Sequence, residues 1–214
     1  MNNSWYANIK QEVVDRDCYK FKNWASQQTN KQLCIVDIGA NVGSFSVMAA
    51  NMLPSAKIYA FEMVKSNFDF LQTKTNQYNN IQSHNIAIIG ENKPVGKIIH
   101  KTNHGGHKVI FEENKEWVNK NKIVSHNDVS FLSFQKALNT YNITKIDFLK
   151  IDAEGSEYEI FANIDRHNLW HIIENISLEV HKKLSPESID LKDMLLKHYK
   201  NVTGSKILIA RNKI

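Results

Sequence analysis

The residues with the plainest chemical potential stand in one short run, Asp37-Ile-Gly39-Ala-Asn41-Val-Gly43, directly after the apolar stretch Leu33 to Val36. A second acid, Glu62, closes the next apolar stretch, "KIYAF". A strand, a glycine turn and a helix make a nucleotide site, and the dinucleotide form of it reads G-x-G-x-x-G. Here Asn41 takes the place of the second glycine, and Asp37 stands where the turn begins. An acid at that point repels a pyrophosphate and suits a cation. An acid at the end of the second strand accepts ribose hydroxyls. Together they ask for a nucleoside without phosphates that carries positive charge, and S-adenosylmethionine is such a molecule. Gly39 and Gly43 are then expected to let the backbone approach its methionine part. Asn41 is expected to hydrogen-bond that part's carboxylate or amine. A nicotinamide dinucleotide, and with it an oxidoreductase, is disfavoured by Asn41. Taken singly, Asp37 also reads as a helix cap and Glu62 as a solvated acid.

A second group lies further on. Asp152 ends "IDFLKID", Glu154 and Glu157 follow, and Glu179 and His181 end "ISLEVH". Two-residue spacing on a strand points Glu179 and His181 to one face. One reading makes His181 or Asp152 the general base for a hydroxyl, with Glu179 orienting the ring. Another makes Asp152, Glu179 and His181 ligands of a divalent metal that acidifies the hydroxyl. A third makes Glu179 and His181 a buried pair that only shapes a pocket. Glu154 and Glu157, ahead of a helical stretch, also read as caps, Glu157 above all. His100, His104, His107 and His126 fall in a polar loop with no cysteine among them. Their segment reads better as a substrate lid hinged at Gly105–Gly106, in which Phe111 and Trp117 stack on a sugar or anchor the loop.

These residues need a frame. Short apolar runs at 33–38, 57–62, 81–89, 146–152 and 174–180 read as buried strands. Helical spacing follows Gly43 as far as Pro54, returns at 66–78 with Phe68, Leu71 and Thr75 on one stripe, and returns again at 187–198. Thr203-Gly204-Ser205 joins two last strands, near 199–203 and 206–211. The alternation predicts an α/β fold: a doubly wound, mostly parallel, Rossmann-like sheet with an antiparallel C-terminal hairpin. The whole of 1–214 is read as a single domain. Residues 1–30 form an amphipathic helical extension, and residues 92–128 an insertion above the ligand side, where α/β sheets bind their ligands.

Composition bounds the rest. The chain has 214 residues, 42% apolar and 23% charged, enough for one sizeable core. No apolar run is long enough to cross a membrane, and the polar start "MNNSWYANIK" is not a secretory signal. Two cysteines, Cys18 and Cys34, make no disulfide framework, so a cytoplasmic setting is expected. The net charge of +5 is mild. Lys115, Lys120 and Lys122 alternate with Glu112, Glu113 and Glu116, so no coherent phosphate-tracking stripe forms and nucleic acid is not the expected partner. The sequence leaves monomer and homodimer open.

Five stretches in order also carry a resemblance: "VDIGANVGSFS" (36–46), "FEMVKSNFDFLQ" (61–72), "NIAI" (85–88), "FLKIDAEGSEYEIF" (148–161) and "SLEVH" (177–181). The chain resembles the FkbM-type S-adenosylmethionine-dependent methyltransferases. The resemblance implies a seven-stranded class I methyltransferase fold and O-methylation of a sugar, glycan or nucleotide-sugar hydroxyl. It adds Met63, Asn67 and Ile86 to the cofactor residues, with Met63 packing on the base. Two departures stand out: Met63 and Lys65 replace the family's prolines, and "VSFLSF" replaces an acidic segment before the fourth strand. Within the same chemistry, an RNA or cap methyltransferase is the rival.

Overall fold

A computed structural model describes residues 3–29, 32–91, 96–99, 108–110, 128–181 and 190–213. The expected histidines, the Gly105–Gly106 hinge, Phe111 and Trp117 lie outside them. So does the start of the helix expected over 187–198, of which α7 (Leu191–Leu196) is described.

The central sheet has seven strands. Strands β1 (Cys34–Ile38), β2 (Lys57–Phe61), β3 (Ile81–His84), β8 (Phe148–Ile151) and β9 (Ile176–Glu179) run parallel. β10 (Tyr199–Thr203) and β11 (Ile207–Lys213) form the antiparallel hairpin, and β11 pairs with β9. The order is β10-β11-β9-β8-β1-β2-β3. The strands read as continuous apolar runs because both faces are covered. Period-two alternation sorts them cleanly. Val36, Ile38, Tyr59, Phe61, Leu149 and Ile151 join one core. Ile35, Ile58 and Phe148 join another, under α3 (Ser44–Met52) and the N-terminal segment. That segment runs through α1 (Asn3–Lys10), a π-helical turn (Gln11–Asp15) and α2 (Phe21–Ser26). Phe21 and Trp24 pack their rings on Phe148. The amphipathic extension thus covers one face of the sheet.

The stretch 81–89 is two strands, not the single one expected. β3 stays in the central sheet, while β4 (Ile86–Ile89) pairs in parallel with β7 (Asp128–Ser133) in a second sheet, ordered β4-β7-β5-β6. The break falls at Asn85, whose Nδ2 donates to the carbonyls of Glu62 (2.8 Å) and Met63 (3.0 Å). A polar residue that binds its neighbour's backbone competes with the ladder there. The inserted stretch contributes β5 (Gly96–Ile99) and β6 (Lys108–Ile110), antiparallel to each other. α4 (Lys65–Thr75), α5 (Phe134–Thr140) and α6 (Glu157–Arg166) complete the described α-helices. No described helix is long and apolar enough to cross a membrane.

Candidate active site

The C-terminal ends of β1, β2 and β8 surround a cleft of about 600 Å³, counting its open mouth. Gly39, Asn41, Glu62, Met63, Asn67 and Ile86 all line it, as expected. Ile86 to Ile89 give it an apolar wall, because β4 leaves the sheet there.

Glu62 is 5% exposed and holds the glycine loop. Its Oε2 accepts from the Asn41 N–H at 2.8 Å and its Oε1 from the Val64 N–H at 2.7 Å. Each oxygen keeps a further lone pair for a ligand hydroxyl. Burial pushes the Glu62 carboxyl up to about 7, against the pull of those two N–H groups. Asn41 sits in the left-handed region (φ 51°), and its buried Oδ1 has no hydrogen-bond partner.

Two expected contacts are absent. Asp37 does not line the cleft: it is 0% exposed. Ser46 Oγ donates to its Oδ2 at 2.6 Å, and the Lys150 ammonium lies 3.0 Å from its Oδ1. The register explains this, since Asp37 of β1 is the direct neighbour of Lys150 of β8. The cation that Asp37 suits is supplied by the protein. Lys150 Nζ also donates to the carbonyls of Gly39 (2.6 Å) and Ile38 (3.3 Å). The pair therefore holds the loop from below, with Lys150 reaching the wall of a second, adjoining cavity. Gly43 also stays clear of the cleft. Its positive φ of 84° serves packing: a Cβ there would lie 2.6 Å from Leu71 Cδ1. At Gly39 (φ 74°) a Cβ would lie 1.8 Å from the Asp152 carbonyl, so the ends of β1 and β8 meet only through a glycine.

A second cavity adjoins the first and shares Gly39, Asn41, Asp152 and Glu154 with it. The N-terminal segment forms its far wall, with Ile9, Glu12, Val13, Cys18 and Tyr19. The structure brings Asp152, Glu179 and His181 together at its edge. His181 Nε2 lies 3.8 Å from Asp152 Oδ1, 3.6 Å from Glu154 Oε2 and 3.9 Å from Glu179 Oε1.

Glu179 does not orient the ring, as expected of it; it pairs with Lys206 at 2.9 Å. Glu157 does so instead, with Oε1 2.7 Å from His181 Nδ1. Glu157 is fully buried and accepts from the N–H groups of Ala153 (3.0 Å) and Gly155 (2.8 Å). It orients the ring and ties down the loop that precedes α6 (Glu157–Arg166). The compact set of possible metal ligands is likewise Asp152, Glu154 and His181, rather than one with Glu179. Burial pulls the His181 ring down, but the bond and charge of Glu157, then Asp152 and Glu154, outweigh it and raise the ring to about 9. At neutral pH, with these carboxylates alone around it, the ring is a cation. An ordinary histidine would be largely neutral there; these carboxylates favour its charged form.

Lys150 and Tyr19 were not singled out in the sequence. For Lys150 the signal was there: a lysine inside the buried run "FLKI" demands a buried acid. For Tyr19 there was none. Its hydroxyl donates to Asp152 Oδ2 at 3.0 Å across 133 positions of chain, and its carbonyl accepts from Ser177 Oγ.

Known proteins resemble this chain in sequence and in fold. The Methyltransferase FkbM domain matches residues 37–201. Methyltransferase sdnD of Sordaria araneosa is 24% identical over 195 residues, covering 80% of this chain and 73% of that protein. Methyltransferase 1 of Beauveria bassiana (strain ARSEF 2860) is 25% identical over 190 residues, covering 81% and 75%. Among solved structures, the METTL16 MTase domain aligns with a TM-score of 0.51 at 15% identity, over 92% of this chain and 66% of that one. The precorrin-6y C5,15-methyltransferase of Geobacter metallireducens GS-15 aligns at 0.50 and 14%, over 92% and 88%. The bifunctional kinase-methyltransferase WbdD aligns at 0.53 and 11%, over 99% of this chain but 42% of that one. These structural likenesses speak for the fold. With the domain match over most of its length, the chain belongs to the FkbM methyltransferases, enzymes that take their methyl group from S-adenosylmethionine.

Proposed function

We propose that this enzyme methylates a hydroxyl of a sugar or glycan, and that the acceptor enters the second cavity. The residues present fit the donor. Asn41 Oδ1 is a buried polar atom without a partner, Glu62 faces the cleft, and Ile86 to Ile89 offer an apolar wall for a base. When bound, S-adenosylmethionine supplies a methyl group on a positively charged sulfur. The chain holds the acceptor oxygen in line with that methyl. The oxygen bonds to the methyl carbon as the carbon–sulfur bond breaks, and sulfur keeps the bonding pair as a neutral thioether. The hydroxyl proton leaves to the carboxylates beside His181.

The observation that carries the acceptor class is the chemistry of the cavity wall. Glu12, Asp152, Glu154 and Glu179 line it, and so does Ser44, whose buried Oγ has no partner. Carboxylates accept from neutral hydroxyls and repel phosphates. This favours a neutral polyhydroxylated acceptor over RNA, and over the diphosphate of a nucleotide sugar. The test is transfer of labelled methyl to neutral glycosides, nucleotide sugars and short RNA in parallel. Label on a glycoside oxygen supports the reading. Label on RNA alone sinks it, and label on nucleotide sugars alone sinks the argument from charge.

A further inference from the structure

The loop from Asp152 to Ser156 is shaped to present donors to one point. Glu154 takes a positive φ of 53° and Gly155 one of 109°. The turn brings the Glu154 carboxylate back beside His181, level with Asp152. One ligand atom of each of Asp152, Glu154 and His181 lies within 4.8 Å of the other two, and His181 Nε2 is 3.8 Å from Asp152 Oδ1 and 3.6 Å from Glu154 Oε2. The centre of such a triangle is roughly 2.1–2.4 Å from each corner, the length of metal–nitrogen and metal–oxygen bonds. The second shell has the matching form. Glu157 takes the Nδ1 side of the ring and leaves Nε2 to face the two carboxylates. A carboxylate on the far nitrogen is the usual support of a metal-binding histidine. Because Glu157 also binds the N–H groups of Ala153 and Gly155, one buried acid sets both the ring and the loop that carries the other two donors.

A separate observation points to a polar ligand beside these groups. Ser44, 8% exposed, and Asn41 line the adjoining cavity with buried oxygens that have no partner. Buried polar atoms in native proteins are almost always satisfied, so these wait for a ligand's polar groups.

We infer that Asp152, Glu154 and His181 bind a divalent cation of the magnesium or manganese kind at the junction of the two cavities, where an acceptor hydroxyl becomes a further ligand. Two carboxylates and an imidazole, with positions left for oxygen ligands, suit such an ion. The ion takes the place of the proton that the carboxylates otherwise hold on the ring. Its charge eases loss of the acceptor's hydroxyl proton, which passes to Glu179, outside the trio. The role of the hydroxyl rests on the sugar reading above; the binding of the ion does not.

The test is therefore a Mn2+ titration of the S-adenosylhomocysteine complex, read by loss of the free-ion paramagnetic resonance signal, with no acceptor present. One Mn2+ per chain is expected. Glu154→Gln and His181→Gln should each weaken it at least about tenfold, while Glu179→Gln keeps it. Calorimetry with S-adenosylhomocysteine checks that each variant is folded, and Asp152→Asn stands in for one that is not. Absence of saturable Mn2+ binding to the wild-type chain overturns the inference. So does equal binding by the Glu154, His181 and Asp152 variants. A saturable site in a chain that methylates no glycoside leaves the cation in place and removes the acceptor reading.

Discussion

The loops that follow β1 and β8 touch at Gly39 and Asp152, yet they handle charge in opposite ways. Below the donor loop, charge is buried and matched. Asp37 has Lys150 and Ser46, and Glu62 has two backbone N–H groups. Around the second cavity, charge is part-exposed and crowded: three carboxylates converge on Nε2 of one ring, with side-chain exposures of 17–28%. Matched buried charge gives geometry, because neither partner can leave without stranding the other. An excess of one sign at a solvent edge costs stability and gives a place for a ligand's protons or for a cation. In the proposed reading, the first cavity is a scaffold with a lining for the donor, and the second gathers the groups that meet the acceptor.

The strongest way to break this contrast is Lys150→Met. It strands Asp37 in the interior and should cost about 3–5 kcal/mol of stability in a urea melt. Adding Asp37→Asn should recover much of that loss. A cost near that of an exposed pair would show that the donor loop does not depend on the buried one.

His181→Gln attacks the other half. Turnover should fall about 10²-fold, the scale for disturbing the groups that hold a metal, while calorimetric affinity for S-adenosylhomocysteine stays as it was. A matching loss of cofactor affinity would erase the division between the halves.

Glu62→Gln sharpens the boundary from the donor side. Affinity for S-adenosylhomocysteine should fall by about 1.5–3 kcal/mol, the worth of hydrogen bonds to a charged group. The pH dependence carries a second sign. The Glu62 carboxyl is raised from 4.5 to about 7 in the folded chain. The folded state therefore holds a proton that the unfolded state has released between those values. Glu62 lowers stability as pH rises from 4.5 to 7, and the loss is complete above 7. Ribose hydroxyls prefer the ionised form, so cofactor affinity should weaken as pH falls below about 7. Glu62→Gln should flatten both trends; an unchanged profile would place the titrating group elsewhere.

The smallest effect is expected at Lys206→Ala. Its partner Glu179 is a carboxylate of the acceptor cavity, but the Lys206 side chain is 74% exposed. Such pairs are worth about 0–1 kcal/mol, so the melt should barely move.

The donor half was largely legible because it is local. Asp37 to Gly43 is one contiguous turn after one strand, and Glu62 ends the next strand. Six of the eight expected cofactor residues line the cleft. The mostly parallel sheet and the terminal hairpin follow from alternating apolar runs and one glycine turn. The stretch 81–89 reads as one strand because no glycine or proline interrupts it. Only the Glu62 and Met63 carbonyls, brought near by β2, turn the chain there.

By itself, then, the sequence determined the kind of fold, the donor loop and the acids that could serve an acceptor. Those are carried by residue types at short range, where backbone geometry alone sets what is near what. The tertiary structure decided which way each charge faces. Asp37 looks inward because parallel pairing sets Lys150 beside it from 113 positions away in the chain. Glu157, rather than Glu179, holds the histidine because a left-handed turn at Glu154 carries the start of α6 up to the end of β9. Tyr19 reaches Asp152 because α2 packs on Phe148. Each outcome depends on strand register and on which elements share a face. No local run of residues encodes either, because both are settled by burial of the whole sheet at once.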